Sequence, residues 1–124
     1  MDIKEYLENT HISKWDISNV TDMGGMFFNN IYFNQDISKW DVSNIIDTNS
    51  MFDEAISFNQ DISRWDISNV TDMRWMFFNN ISFNQDLSPW GDKLHKDVKV
   101  YEMFEGSGLE GNEPQWYLDK INKG

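Results

Sequence analysis

Four tryptophans stand 25 residues apart, at Trp15, Trp40, Trp65 and Trp90, and the text around them recurs with them. Met26, Met51 and Met76 keep the same interval, and so do Phe33, Phe58 and Phe83. A constant period of this size restricts a chain to architectures in which one short supersecondary unit is copied and each copy rests on its neighbours. A single copy is too small to bury its own apolar side chains, so the core must run from copy to copy. The 124 residues include six Trp and nine Phe, enough apolar material for one domain with a sizeable core.

The first copy, residues 13–38, and the third, residues 63–88, are nearly the same sequence. They differ at Lys14/Arg64, Gly24/Arg74, Gly25/Trp75, Tyr32/Ser82 and Ile37/Leu87. The middle copy departs further, with Asp53, Glu54 and Ala55 where the first has Phe28, Asn29 and Asn30. In Asp36 to Val42, β-branched and aromatic residues mix with polar ones at near strand spacing, which predicts a short strand. Asn19, Asn44 and Asn69 each precede an acid by three positions, the pattern of a helix N-cap. Met23, Met26 and Phe27 then follow at i, i+3, i+4, which predicts one short helix per copy. The expected fold is α/β: a short capped solenoid of about four 25-residue coils, each with a short strand and a short helix, in the manner of leucine-rich repeats.

Both ends read as closures of that single solenoid domain. Residues 1–10 predict a cap helix with Asp2 at its start and Ile3, Tyr6 and Leu7 on one face. The repeats span residues 11–104, the last one carrying two extra residues, since Met103 falls 27 after Met76. Residues 105–124 form the C-terminal cap, in which Gly106 and Gly108 break the chain and Pro114 opens a final helix with Trp116, Tyr117, Leu118 and Ile121.

Charge and composition narrow the function classes. The net charge of −11 repels phosphate backbones and anionic lipid, so nucleic acid is not an expected partner. The Lys93 to Lys99 stretch, the one basic candidate, is interrupted by Asp97. No apolar run is long enough to span a membrane. The acidic start MDIKEYLENTHIS lacks the pattern of a secretory signal, which favours an intracellular protein unless a leader was removed. The absence of cysteine excludes disulfides, thiolate metal sites and a Cys nucleophile. His11 and His95 are far apart in the chain, and no nucleophile-elbow or phosphate-loop motif is present. No cofactor is indicated.

The candidate sites divide into columns and exceptions. Asp36, Asp61 and Asp86 should stack at about 4.8 Å, as should Asp16, Asp41 and Asp66. Carboxylates that close repel by about 1 kcal/mol even in bulk water. A row of Ca²⁺ sites would offset this; so would backbone N–H groups donated within each turn. The turn reading is preferred, because no Gly-containing ligand loop accompanies the column, and no metal is expected. Asn34, Asn59 and Asn84 fit a similar structural ladder, and Trp15, Trp40 and Trp65 read as core rather than as a stacking platform for sugars or bases. The exceptions are positions where the copies differ. Trp75 stands where Gly25 and Ser50 stand, which predicts a surface position; with Arg74 beside it, it is the best contact residue, joined by Phe28 and Phe78.

The repeated text W-D-[IV]-S-N-[VI]-x-D-x-x-x-M-F…F-N-Q-D-[IL]-S, from Ile12 to Phe104, resembles the mycoplasma-type surface-lipoprotein repeat, a family of unknown function related to the BspA-like bacterial surface proteins. The ending from Met103 to Glu110, with Pro114, Trp116 and Tyr117, is similar to the family's usual last coil. The resemblance implies a leucine-rich-repeat-like solenoid and, for many members, a place on the cell surface with an adhesive role; it carries over no catalytic residues. The expected function is a noncatalytic protein-interaction scaffold with a protein partner. The alternatives are a surface adhesin unit binding host protein or glycan and, last, a carboxylate-based hydrolase.

Overall fold

The computed structural model describes residues 11–123, so the helix expected over residues 1–10 lies outside the described residues. Equivalent residues of successive copies lie against one another. Parallel bridges join Asp22 to Asp47, Asp47 to Asp72, and Asp72 to Lys99. The α/β solenoid with a strand and a helix in every coil is nevertheless overturned. Among the described residues there is no strand and no sheet, only those isolated bridges, and the one α-helix, α1 (Gln115–Asn122), lies after the repeats. Two 3₁₀ turns, Ile12–Lys14 and Ser88–Asp92, complete the regular structure. The rest is a stack of layers built from turns.

The backbone explains why neither element forms. From Met23 to Asn30, Met26, Phe28 and Asn30 donate their N–H groups three residues back, to Met23, Gly25 and Phe27. The intervening residues donate to the next layer instead: Met23 to Asp47 O (2.9 Å), Gly25 to Asn49 O (2.8 Å), Phe27 to Met51 O (2.9 Å) and Asn29 to Asp53 O (2.8 Å). A helix would keep all these bonds within one segment. Here the chain turns into the left-handed region every fourth residue, at Gly25 (φ 67°) and Asn29 (φ 57°), then Ser50 and Glu54, then Trp75 and Asn79. The i, i+3, i+4 spacing of Met23, Met26 and Phe27 therefore serves a turn.

The predicted strand is curled in the same way. Asp36 accepts the Ser38 N–H at 3.0 Å and Asp41 accepts the Ser43 N–H at 3.1 Å, so a side-chain-closed turn recurs within five residues and no extended run survives. Nor do the asparagines cap helices. Asn44 Nδ2 donates to Ser18 O and Asn69 Nδ2 to Ser43 O, each at 2.7 Å, tying one layer to the one before.

Aromatic side chains fill the interior in two columns. Phe27, Phe52, Phe77 and Phe104 stack with centroids 5.5, 5.6 and 5.6 Å apart. Phe33, Phe58 and Phe83 follow at 5.6 and 6.0 Å. The tryptophans fasten the layers together: the indole N–H groups of Trp40, Trp65 and Trp90 donate to the carbonyls of Ile12, Ile37 and Ile62 at 3.0, 3.0 and 3.1 Å. Trp116 of α1 takes the next place, donating to Leu87 O at 2.8 Å and stacking on Trp90. Trp15 has no earlier described layer to reach, and 49% of it is exposed. The column expected as core thus begins at Trp40.

Trp65 and Trp15 should therefore respond differently to the same change. Trp65→Phe removes the inter-layer bond on the Ile37 carbonyl, which keeps the Trp40 N–H of its own turn, and shrinks a buried ring, so it should lower stability by about 1–2 kcal/mol, whereas Trp15→Phe should leave it within about 0.5 kcal/mol. Urea denaturation of both variants checks this; equal midpoints would contradict the fastening role.

Candidate functional site

At the third layer the repeat substitutes large residues for small ones. Trp75 occupies the left-handed position (φ 56°) that the first copy fills with Gly25. A side chain there is not directed into the core, and Trp75 is half-buried against its neighbours instead. Its indole N–H donates to a Glu102 carboxylate oxygen at 3.3 Å. The Tyr101 ring meets it edge-on at 5.8 Å, and the Arg74 guanidinium lies 5.6 Å from the ring centroid. Arg74 is fixed in turn by Asp72, which accepts from Nε at 3.0 Å and from Nη2 at 2.8 Å. That pairing holds the Arg74 guanidinium above its ordinary value. The adjacent Glu102 carboxylate pushes the Tyr101 phenol up as well.

Beside this cluster runs a groove of about 650 Å³ between residues 98–102 and α1, with Val98, Val100, Tyr101 and Ile121 among its lining residues and Lys120 and Lys123 also along it. Tyr101 is 59% exposed. The sequence reading brought Arg74 and Trp75 forward but missed Tyr101 and Glu102. Those residues meet Trp75 across 26 and 27 positions rather than 24 and 25, because the last layer carries its two extra residues before Lys99. The Met103–Phe104 offset was the one signal that could have placed them.

Phe28 and Phe78 do not join the cluster. Phe28 is 53% exposed on the first layer, Phe78 is half-buried on the third, and Asp53 is their counterpart in the layer between. Inter-layer bonds from Asn29 N–H to Asp53 O and from Glu54 N–H to Phe78 O align the three. Asp53 is 8% exposed, and its Oδ1 is buried with no hydrogen-bond partner among the described residues. Burial, with Glu54 beside it, raises the Asp53 carboxyl from 3.8 to about 6, against an opposing hydrogen bond from Ser50.

The carboxylate columns are each occupied within their own turns. Asp36, Asp61 and Asp86 accept the N–H groups of Ser38, Ser63 and Ser88 at 3.0, 2.9 and 2.9 Å. Asp16, Asp41 and Asp66 also accept the hydroxyls of Ser18, Ser43 and Ser68 at 2.6 Å. Hydrogen bonds from serine hold all six below the ordinary carboxylate value. Asn34, Asn59 and Asn84 form a ladder, with Asn59 N–H on Asn34 Oδ1 and Asn84 N–H on Asn59 Oδ1, both at 2.9 Å. Among the described residues no three His, Asp or Glu side chains converge as metal ligands. No helix there is long and apolar enough to cross a membrane.

What the cluster and groove offer chemically is contact: aromatic faces, an apolar wall and a rim of mixed charge, in which Glu102 and Glu105 stand among Arg74, Lys99, Lys120 and Lys123. A model of the family described as "Mycoplasma protein of unknown function, DUF285" matches residues 2–116. No curated protein and no solved structure matches the chain.

Asp53 gives a pH-dependent expectation with a definite sign. Its carboxyl is raised in the folded chain, so the charged form weakens folding above pH 6, and the penalty is relieved as pH falls towards 3.8. Asp53→Asn should raise the stability at pH 7.5 by about 1 kcal/mol, a partly relaxed fraction of the full shift. That margin should shrink on acidification to pH 4. Thermal melts of both proteins across this range check it, and a margin that grew in acid would contradict the assignment.

Proposed function

We propose a function for a chain that belongs to the Mycoplasma protein family of unknown function, DUF285: it is a noncatalytic protein-interaction scaffold whose contact surface centres on Trp75. The observation that carries this reading is the backbone beneath that side chain. The left-handed region costs a residue with a Cβ about 1–2 kcal/mol, and glycine serves at the same place in the first copy. Ser50 and Glu102 hold the same conformation at the equivalent places, and only the third copy sets a large aromatic ring on it. Positions that retain such strain tend to be functional.

The chemistry around it supports contact rather than catalysis. Trp75 and Tyr101 present large rigid faces, and Arg74 is already oriented by Asp72, so little conformational freedom is lost on engaging a partner. The groove alongside extends the apolar surface, as peptide-binding clefts commonly do.

Trp75→Gly isolates the side chain from the fold, because glycine relieves the left-handed strain. Its unfolding free energy should stay within about 1 kcal/mol of the parent's. Ligands selected from a displayed peptide library on the parent chain should bind the variant at least about tenfold more weakly. Selected ligands that bind both proteins equally would remove Trp75 from the contact surface, and a library that yields none would count against the scaffold reading.

A further inference from the structure

Every layer-to-layer bond in the segments 23–29, 48–54 and 73–79 points the same way. The donors lie on the earlier layer and the acceptor carbonyls on the later one, as in Met73 to Lys99 O (2.8 Å) and Trp75 to Tyr101 O (3.0 Å). The two ends of the stack are consequently different. On the first layer, the carbonyls of Asp22, Gly24, Met26 and Phe28 occupy the places of the acceptors Asp47, Asn49, Met51 and Asp53, and they accept no hydrogen bond among the described residues. On the last layer, the N–H groups of Val100 and Glu102 occupy the places of the donors Met73 and Trp75, and they donate to nothing among the described residues.

The remaining two donors of the last layer are engaged locally. Gly106 N–H goes to the Glu110 carboxylate at 3.1 Å, and Phe104 N–H faces the Tyr117 hydroxyl. α1 thus closes the aromatic side of that end, with Tyr117 and Trp116 against Phe104, and leaves the Val98 to Glu102 edge open along the groove.

We propose that this open edge receives the Asp22–Gly24 edge of a second copy of the same chain, head to tail, with Val100 N–H donating to Asp22 O and Glu102 N–H to Gly24 O of the neighbour. Three observations select a second copy. The free acceptors have the spacing the free donors require, because both are terms of one repeated pattern. The side chains at the acceptor end are exposed where their counterparts are buried: Met26 is 43% exposed and Met51 and Met76 are 0%. The charges also match. The bridged column runs Asp22, Asp47, Asp72, Lys99, so a head-to-tail neighbour sets its Asp22 beside Lys99, and Lys99 forms no ion pair among the described residues. A contact of this kind repeats without closing, so it builds short open chains of molecules rather than a symmetric dimer.

Sedimentation velocity at low ionic strength, over concentrations up to about 1 mM for an edge contact this small, tests it. The parent chain should sediment as a concentration-dependent series of oligomers, shifted towards monomer by added salt. Asp22→Lys and Lys99→Glu should each weaken association at least about tenfold, because each sets like charges against one another. An equimolar mixture of the two variants should recover association, since every junction between unlike partners is again complementary. Tryptophan fluorescence of each variant confirms that the layers remain folded, and the mixture is informative even where one variant is less stable. A parent that stays monomeric throughout, or association indifferent to both exchanges, would overturn the proposal.

Discussion

Alternation of the main-chain N–H groups governs this molecule. In the segments 23–29, 48–54 and 73–79 alternate donors close a turn within the layer and the others leave it towards the next one, while Ile46, Thr71 and Lys99, just before these segments or their equivalent, donate back to the preceding layer. A chain that splits its donors this way cannot be a helix, which keeps them, or an extended strand, which sends them to both sides. It can only be a layer that is complete when another lies on it. The cooperativity of the stack follows from this division, because removing a neighbour strands a row of polar groups as well as apolar side chains.

The side chains reinforce that arrangement at each level. Indole N–H groups of Trp40, Trp65 and Trp90 reach back to the preceding layer while their rings fill the interior, so one residue type supplies both packing and a bond between layers. Like carboxylates stand in columns chiefly because each is held by donors from its own turn, which favour the ionised form, with Arg64 near Asp61 and Lys93 near Asp66 adding a smaller attraction. Glycine is demanded where space or conformation leaves no alternative. A Cβ at Gly108 would lie 2.6 Å from the Phe83 carbonyl oxygen, so the chain beyond the last layer can approach only through a residue without one.

The sequence displayed the period, the interior places of Trp40 and Trp65, and the turns that the aspartates close, because these depend on residue type and spacing alone. It misled on local conformation. Apolar residues at i, i+3, i+4 also describe a turn that enters the left-handed region every fourth residue, and the hint lay in Gly25, Asn29 and Asn79, residue types that tolerate that region. Alternation around Asp36 to Val42 likewise suited a strand until the Asp-x-Ser pairs were weighed as side-chain-closed turns. Tyr101 and Glu102 escaped notice because two inserted residues shift the last layer out of the 25-residue register.

The middle layer shows how a repeat tolerates local conflict. It sets Asp53 in the column of Phe28 and Phe78 and places Glu54 in the left-handed region, so it combines a buried carboxylate oxygen that has no hydrogen-bond partner among the described residues with a strained backbone. Its main-chain bonds are nevertheless as short as those of its neighbours, with Phe52 and Glu54 donating at 2.8 Å to the third layer. Its phenylalanines are fully buried. In a stack held by nearest-neighbour terms, such a layer is stabilised from both faces at once. Among the three near-intact copies, the one with a full copy on each side is the one that departs furthest from the shared text.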